Sequence, residues 1–234
     1  MIKILGSIKN SEEASIIDKH QFDIIDIKNI EDGALGYAGD KQLKTIVNKI
    51  GQRVLSVTAG NQVHPNTDKI IRRTKLLNSL GIKYIKIGVF NTKHIENHKL
   101  FLEKTSMLNI KKVAVLFASE LLDINQITNF AELNYDGLMI DTIDKSNKCT
   151  LSILNNKLIS KFVNECHNSD KFCGLSGSMS YKDIEYAMSF RPDFIGFRGA
   201  LCSSSNRKYL DSIKCESIIN KIKITNQKMY QVAV

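Results

Sequence analysis

The sequence predicts one α/β domain, a (β/α)8 TIM barrel that spans residues 1–234. Short runs rich in β-branched residues alternate with longer amphipathic segments along the whole chain, which is the pattern of repeated βα units. The short runs are apolar enough to be buried on both faces, as the strands of a parallel barrel must be. No linker-like stretch marks a second domain. An open doubly wound sheet is the competing fold, although the GxGxxG turn typical of it is absent after the first strand.

The predicted strands and helices follow one another at the spacing that βα units require. The strand segments are 2–7, 22–28, 53–60, 83–89, 112–118, 135–141, 172–177 and 193–199. The helical segments are 11–20, 40–51, 66–81, 96–108, 119–133, 156–168, 180–190 and 208–222. Polar residues before several helices predict N-caps, and glycines predict two helix ends. The N-cap candidates are Asn10 or Ser11, Ser119 and Ser180, and the glycines are Gly51 and Gly81.

Composition excludes several classes of protein. No apolar run approaches the roughly 20 residues that a membrane-spanning helix needs, and no signal-peptide pattern is present, so we expect a soluble, cytoplasmic protein. The five cysteines form an odd set without CxxC spacing, and the histidines are scattered, so we expect no disulfide framework and no metal site. The basic residues, which give the chain a net charge of +9, are spread along its length. The sequence contains no nucleic-acid-binding motif. Whether the chain forms a homo-oligomer stays open.

Strand alternation predicts where the chemistry lies. Active sites of this fold form at the C-terminal ends of the strands, and the polar face of each strand must point into the barrel. Five strands would then deliver polar groups to one rim, with a further lysine just after the sixth strand. These candidates are Asp26 and Lys28, Thr58, Lys86, Asp141 and Lys145, and Arg198.

The converging lysines indicate imine chemistry. Mutual repulsion and partial desolvation leave one lysine as a neutral amine that can attack a carbonyl and form a Schiff base. The carboxylates of Asp26 and Asp141 can hold the other lysines protonated or move protons. For Asp26 and Lys28 a plain structural ion pair is the competing interpretation.

Small-residue loops after the last two strands predict a phosphate site. Ser176, Gly177 and Ser178 follow the seventh strand, while Gly199 and Ala200 follow the eighth, beside Arg198. Barrels often bind phosphate at these two loops. The residues therefore predict a metal-independent lysine-imine enzyme that acts on a small phosphorylated carbonyl compound.

The same motifs carry a family resemblance. DIIDIKN (23–29), EDGALG (31–36), YIKIG (84–88), Asp141 to Lys145, GLSGS (174–178) and FIGFRGALC (194–202) together resemble the (5-formylfuran-3-yl)methyl phosphate synthase family of methanofuran and methylofuran biosynthesis. The resemblance implies a lyase that condenses two molecules of glyceraldehyde 3-phosphate into 4-(hydroxymethyl)-2-furancarboxaldehyde phosphate, with loss of phosphate and water. It implies no cofactor and no nucleic-acid or membrane partner.

The resemblance also implies residue roles. Lys28 would form the Schiff base and Lys86 would accept a proton. Asp26, Asp141 and Lys145 would assist proton transfer, and Ser178, Arg198 and Gly199 would bind phosphate.

Three departures from the family pattern are Ile30, Asn61 and the 203–205 turn; we expect the last two to bear on phosphate contacts or substrate preference. Two alternatives stay open. One is another class I aldolase-like or dehydratase barrel acting on a sugar phosphate, and the other is a non-catalytic basic barrel that binds nucleic acid.

Overall fold

The computed structural model describes residues 1–120, 124–144, 148–204 and 207–231, and the predicted barrel is confirmed. Eight parallel strands close into one sheet in sequence order, with β1 paired to β8. Each strand pairs with the next one along the chain, so all C-terminal ends meet at one mouth. The strands are β1 (Lys3–Ile8), β2 (Ile24–Ile27), β3 (Leu55–Thr58), β4 (Tyr84–Val89), β5 (Lys111–Phe117), β6 (Gly137–Asp141), β7 (Phe172–Leu175) and β8 (Phe194–Phe197).

Helices surround the barrel. They are α1 (Ser11–Ile17), α2 (Asp40–Ile50), α3 (Asp68–Ser79), α4 (Ile95–Lys104), α5 (Ile124–Ala131), α6 (Thr150–Ile153), α7 (Asn156–Asn168), α8 (Ile184–Ser189) and α9 (Ser212–Gln231). Asn10 is the N-cap of α1, where its side chain accepts a hydrogen bond from the Glu13 N–H. Gly51 is the C-cap of α2. Gly81 follows α3 with φ +71°, a left-handed backbone conformation that glycine commonly adopts just after a helix. In the described part of the chain, no helix has the length and apolar character that crossing a membrane requires.

Three helices differ from their sequence predictions. The described part of the fifth helix begins at Ile124, Ser119 lies in a turn, and the predicted cap at Ser119 depends on residues outside the described ranges. A short helix, α6, precedes α7 and was not predicted, because four residues are too few to show a helical period. The last helix begins at Ser212 and runs to Gln231, nine residues beyond its predicted end at 222. Its polar C-terminal half carries too few apolar residues to reveal the continuation.

Alternation along the strands separates two apolar cores, of which the sequence predicted only the one beneath the helices. Residues such as Ile25, Val57 and Ile140 face outward and pack beneath the helices. A smaller cluster, including Leu5, Val115 and Met139, fills the barrel interior. The polar residues at the C-terminal ends therefore lie above a packed floor rather than above a pore.

The loop between β2 and α2 covers part of the mouth. Leu35, at its tip, is buried with the interior cluster beside Phe90 and Gly88. The loop closes on itself through a hydrogen bond of 2.8 Å from the Asn29 N–H to the Gly36 carbonyl. A Cβ on Gly36 would lie 2.4 Å from the carbonyl oxygens of Asn29 and Asp32, so only glycine fits there. The loop thus fills the β4–β5 side of the mouth and leaves the opposite side open.

Candidate active site

A cavity of about 410 Å³ opens on the uncovered side of the mouth. Its walls come from the ends of β1, β6, β7 and β8 and from the two lysines at β2 and β4. The lining residues that carry the argument are Lys28, Lys86, Asp141, Gly177, Ser178 and Arg207. The cavity therefore brings together the predicted lysines and the predicted phosphate loops.

Lys86 is paired with Asp26 rather than Asp26 with Lys28. Lys86 Nζ lies 2.7 Å from Asp26 Oδ1, although the contact has the geometry of an ion pair and not of an aligned hydrogen bond. Asp26 has no exposed surface, and its other oxygen accepts a hydrogen bond of 3.1 Å from the Ser7 hydroxyl. A buried carboxylate needs such a partner, because an unpaired charge there is strongly disfavoured. Asp26 does not itself line the cavity, whereas its two partners, Lys86 and Ser7, do.

Lys28 follows directly after β2 and lines the same cavity. Its backbone N–H continues the β1–β2 ladder with a 3.0 Å bond to the Ile8 carbonyl, so the side chain starts from a fixed position. The residue is 6% exposed, which places its long side chain against the cavity wall rather than in solvent. Lys28 and Lys86 therefore line the same cavity.

Asp141 ends β6 and also lines the cavity. The backbone N–H of Thr142 donates a 2.7 Å hydrogen bond to Asp141 Oδ1, which orients the carboxylate. Lys145, the third predicted lysine, lies outside the described residues, so its role stays a sequence prediction.

The β7–α8 loop has the tight backbone that the sequence suggested. Gly177 has φ +103°, and a Cβ there would lie 2.4 Å from the Thr150 hydroxyl oxygen and 2.8 Å from the Thr142 nitrogen. Ser178 adopts φ +51°, an uncommon conformation for a residue with a side chain and one that recurs at functional sites. Both residues line the cavity, as does Gly199 at the β8 end.

Arg198 is buried in contacts with protein atoms. Its two terminal nitrogens lie 2.6 and 2.9 Å from the carboxylate oxygens of Glu13, and they also donate to the carbonyls of Ser7 and Arg207. The structure thus gives these nitrogens protein partners, while Nε is buried without a hydrogen-bond partner among the described residues. These contacts indicate that Arg198 positions the loop that carries Arg207. A direct contact between Arg198 and phosphate stays a prediction.

Arg207 is a cavity residue that sequence reasoning did not select. It follows the small-residue turn after β8 and has φ +62°. Burial lowers the pKa of its guanidinium, and the nearby Asp141 carboxylate opposes that shift only in part. A desolvated cation at a phosphate-sized cavity is suited to bind an anion. Arg207 does not lie at the end of a strand, so the alternation of residues along the strands could not identify it.

Thr58 and Asn61 anchor the covering loop and do not line the cavity. The Thr58 hydroxyl donates a 2.7 Å hydrogen bond to the Gly36 carbonyl. The Asn61 side chain accepts from the Leu35 N–H at 2.9 Å and donates to the Asp32 carbonyl. The structure thus favours a positioning role for Thr58 over the predicted substrate contact. It also shows what an amide at position 61 provides, since a carboxylate could not donate to Asp32.

The closed barrel, with charged residues gathered in a cavity at the C-terminal ends of its strands, defines the chain as an enzyme of the (β/α)8-barrel class. The family profile described as 4-HFC-P synthase matches residues 4–221. The chain therefore belongs to the 4-HFC-P synthase family.

Relatives of known name agree with this assignment, and a solved structure shares the fold. The chain is 29% identical over 219 residues to (5-formylfuran-3-yl)methyl phosphate synthase of Methanosarcina mazei, covering 86% of this chain and 91% of the relative. It is 27% identical over 241 residues to the enzyme of the same name from Methanosarcina acetivorans, covering 95% and 100%. Among solved structures, 3-hexulose-6-phosphate synthase from Salmonella typhimurium superposes with a TM-score of 0.63 at 12% identity, covering 96% of this chain and 100% of that one. The last likeness shows the fold alone.

Proposed function

We propose that this chain condenses two molecules of glyceraldehyde 3-phosphate into 4-(hydroxymethyl)-2-furancarboxaldehyde phosphate through a Schiff base on Lys28. The observation that carries the proposal is that Lys28 and Lys86 line one cavity together with Asp141 and the predicted phosphate loops. Within that cavity, Lys86 is held at 2.7 Å by the fully buried Asp26. The printed name of the family's members supports a furan phosphate product, and the geometry of the cavity supports the proposed residue roles.

Lys28 is the nucleophile in this proposal. Its amine attacks the carbonyl carbon of one triose phosphate, and loss of water from the carbinolamine gives an imine. The imine acidifies the neighbouring C–H bond, so a carbanion equivalent forms there and attacks the carbonyl of the second triose. Asp141, which lines the same cavity, moves protons on the substrate oxygens.

The Lys86–Asp26 pair serves as the proton store. As an ammonium, Lys86 gives a proton to the oxygen that leaves as water or phosphate. The resulting amine then accepts the proton released from carbon, and Asp26 stabilises the ammonium again. Because Asp26 does not line the cavity and is paired with Lys86, it is a positioning residue that stabilises the charge of its partner.

The β7–α8 loop, Gly199 and Arg207 bind the phosphate groups in this proposal. Arg207 supplies a partly desolvated cation, and the backbone at Gly177 and Ser178, which line the cavity, supplies N–H groups near the end of β7. A bound phosphate dianion adds the negative charge that Asp141 alone does not provide to Arg207. Phosphate binding therefore fixes the carbonyl carbon against the Lys28 end of the cavity.

The test is product formation by the purified chain. With glyceraldehyde 3-phosphate alone, we expect the ultraviolet absorbance of a furan aldehyde and the release of inorganic phosphate, both lost in Lys28→Ala and retained in Lys83→Ala. Lys83 is an exposed lysine just before β4, at the opposite end of the barrel. A hexose phosphate product without furan would favour the aldolase alternative. Salt-sensitive nucleic-acid binding that persists in Lys28→Ala, without turnover, would favour the non-catalytic one.

A further inference from the structure

A second cluster of chemically reactive side chains lies at the opposite, N-terminal end of the barrel. His167 at the end of α7, Cys173 in β7 and Asp193 just before β8 place their ligand atoms within 4.8 Å of one another. In the described ranges of the chain, this is the one group of three or more histidine, cysteine and acidic side chains that converges so closely. We call these three residues the base cluster.

The spacing of the base cluster is close to that of a tetrahedral metal site. His167 Nε2 lies 3.1 Å from Asp193 Oδ2 and 3.7 Å from Cys173 Sγ. Zinc bonds of about 2.0–2.3 Å to nitrogen, oxygen and sulfur give tetrahedral edges of roughly 3.3–3.6 Å. The two separations from His167 are therefore within a few tenths of an ångström of such edges, and Cys173 Sγ lies within 4.8 Å of a carboxylate oxygen of Asp193.

An internal comparison separates the base cluster from ordinary strand pairing. Asp23 before β2 and Asp136 before β6 each accept a hydrogen bond from the backbone N–H of the preceding strand, at Ile4 and Lys112. Asp193 does the same for Cys173, at 2.7 Å. That hydrogen bond accounts for the position of the Asp193 carboxylate. It does not account for the His167 imidazole and the Cys173 thiol that lie beside this carboxylate.

The base cluster combines a buried thiol with solvent-exposed side chains. Cys166, in α7, and Cys173 are both fully buried. The side chains of His167 and Asp193 are 43% and 44% exposed, so an ion can enter from solvent without opening the barrel.

We propose that His167, Cys173 and Asp193 bind one zinc-type divalent cation, with water as the fourth ligand. The Cys173 thiol gives up its proton to solvent on binding, so a thiolate, a carboxylate and a neutral imidazole neutralise the two positive charges of the ion. This mixed nitrogen, sulfur and oxygen set suits zinc and not calcium or magnesium. Because the base of a barrel serves stability, the ion joins α7, β7 and β8 and takes no part in the reaction at the mouth.

Cobalt(II) is the probe that tests the site on the full-length protein. After treatment with a chelator, the wild-type chain should bind one cobalt ion with a thiolate-to-cobalt charge-transfer band and the visible bands of tetrahedral coordination. Zinc should displace it and raise Tm. His167→Ala changes an exposed residue and should fold, yet it should weaken binding by at least about 10-fold and abolish the zinc-dependent rise in Tm.

His64→Ala is the matched control, because the rings of His64 and His94 also converge, with centroids 4.4 Å apart. It should leave cobalt and zinc binding unchanged. Cys173→Ser, whose buried position makes folding less certain, should remove the charge-transfer band if it folds. Absence of that band in the wild-type chain, or equal affinity in His167→Ala and wild type, would overturn the proposal.

Discussion

Lys86 and Asp26 form a buried ion pair across the intervening strand β3, with 2.7 Å between Nζ and Oδ1. In the strand register, Asp26 is level with Ser56, whereas Lys86 is level with Thr58, two residues nearer the mouth. The lysine side chain therefore descends from the mouth towards the carboxylate. This arrangement lets Lys86 line the cavity while its charge is balanced from below.

Removing one partner of this pair should be costly. We expect Asp26→Ala to lower the free energy of unfolding by about 3–5 kcal/mol, because it leaves a buried ammonium without its partner. Urea unfolding of Asp26→Ala, Lys86→Met and the double variant measures the coupling. The double variant should be more stable than the sum of the single changes predicts. Strict additivity would show that the pair does not contribute to the fold.

The pair between Arg198 and Glu13 gives a second stability prediction. Their side chains are 2% and 5% exposed, and both terminal nitrogens of Arg198 contact the carboxylate. Glu13→Ala should destabilise the fold by about 3–5 kcal/mol in urea unfolding. Glu96→Ala is the control, since it breaks a pair with Lys99 in which both side chains are more than half exposed. A loss no greater in Glu13→Ala than in Glu96→Ala would contradict the assignment.

Arg207 should govern affinity for the phosphorylated substrate. Arg207→Ala should raise KM for glyceraldehyde 3-phosphate at least about 10-fold, the effect of losing one charge-assisted contact to phosphate, and should weaken inhibition by inorganic phosphate in parallel. Lys208→Ala, which removes the next cation along the chain, should leave KM within about twofold. An unchanged KM in Arg207→Ala would place the phosphate elsewhere.

His98 should make the fold sensitive to acid. It is fully buried between α4 and α5, with Nδ1 2.6 Å from the Tyr135 hydroxyl. Burial, with a smaller contribution from His94, lowers the pKa of His98 from 6.5 to about 4. Between pH 6.5 and about 4 the unfolded chain binds the proton and the folded chain does not. The contribution of this residue to stability is therefore complete above pH 6.5 and falls by about 1.4 kcal/mol for each pH unit below it.

Urea unfolding at pH 7 and pH 4.5 measures this effect. His98→Gln keeps a hydrogen-bonding group near Tyr135 but cannot titrate, so it should lose less stability between the two pH values than the wild-type chain does. His64→Gln, at an exposed site, should behave as the wild type. Equal acid sensitivity in His98→Gln and wild type would show that another group controls the transition.

The barrel itself was predictable because its signal is local. Each strand is a short apolar run, each helix has a longer period, and alternation assigned Lys86 and Asp141 to the mouth. The caps at Asn10 and Gly81 were equally readable, since a cap depends on a few neighbouring residues.

Contacts across the closed barrel were not predictable in this way. Asp26 shares a face with Lys28 along the chain, so the sequence suggested that pair, but barrel closure brings Lys86 to Asp26 instead. Glu13 lies on a helix and gave no sign that it would hold Arg198. Thr58 lies on the polar face of its strand, but its hydroxyl donates a hydrogen bond to the covering loop. These contacts join residues that are distant in the sequence, and the local patterns that predict strands and helices do not predict them.

The central claim is that Lys28 forms an imine with the substrate. Borohydride reduction of the wild-type chain in the presence of glyceraldehyde 3-phosphate, followed by proteolysis and mass spectrometry, locates the trapped adduct. We predict a reduced adduct on Lys28 that is absent from Lys28→Arg, while Lys86→Met still forms it. An adduct on Lys86 in place of Lys28, or no adduct on either lysine while furan product accumulates, would contradict the account.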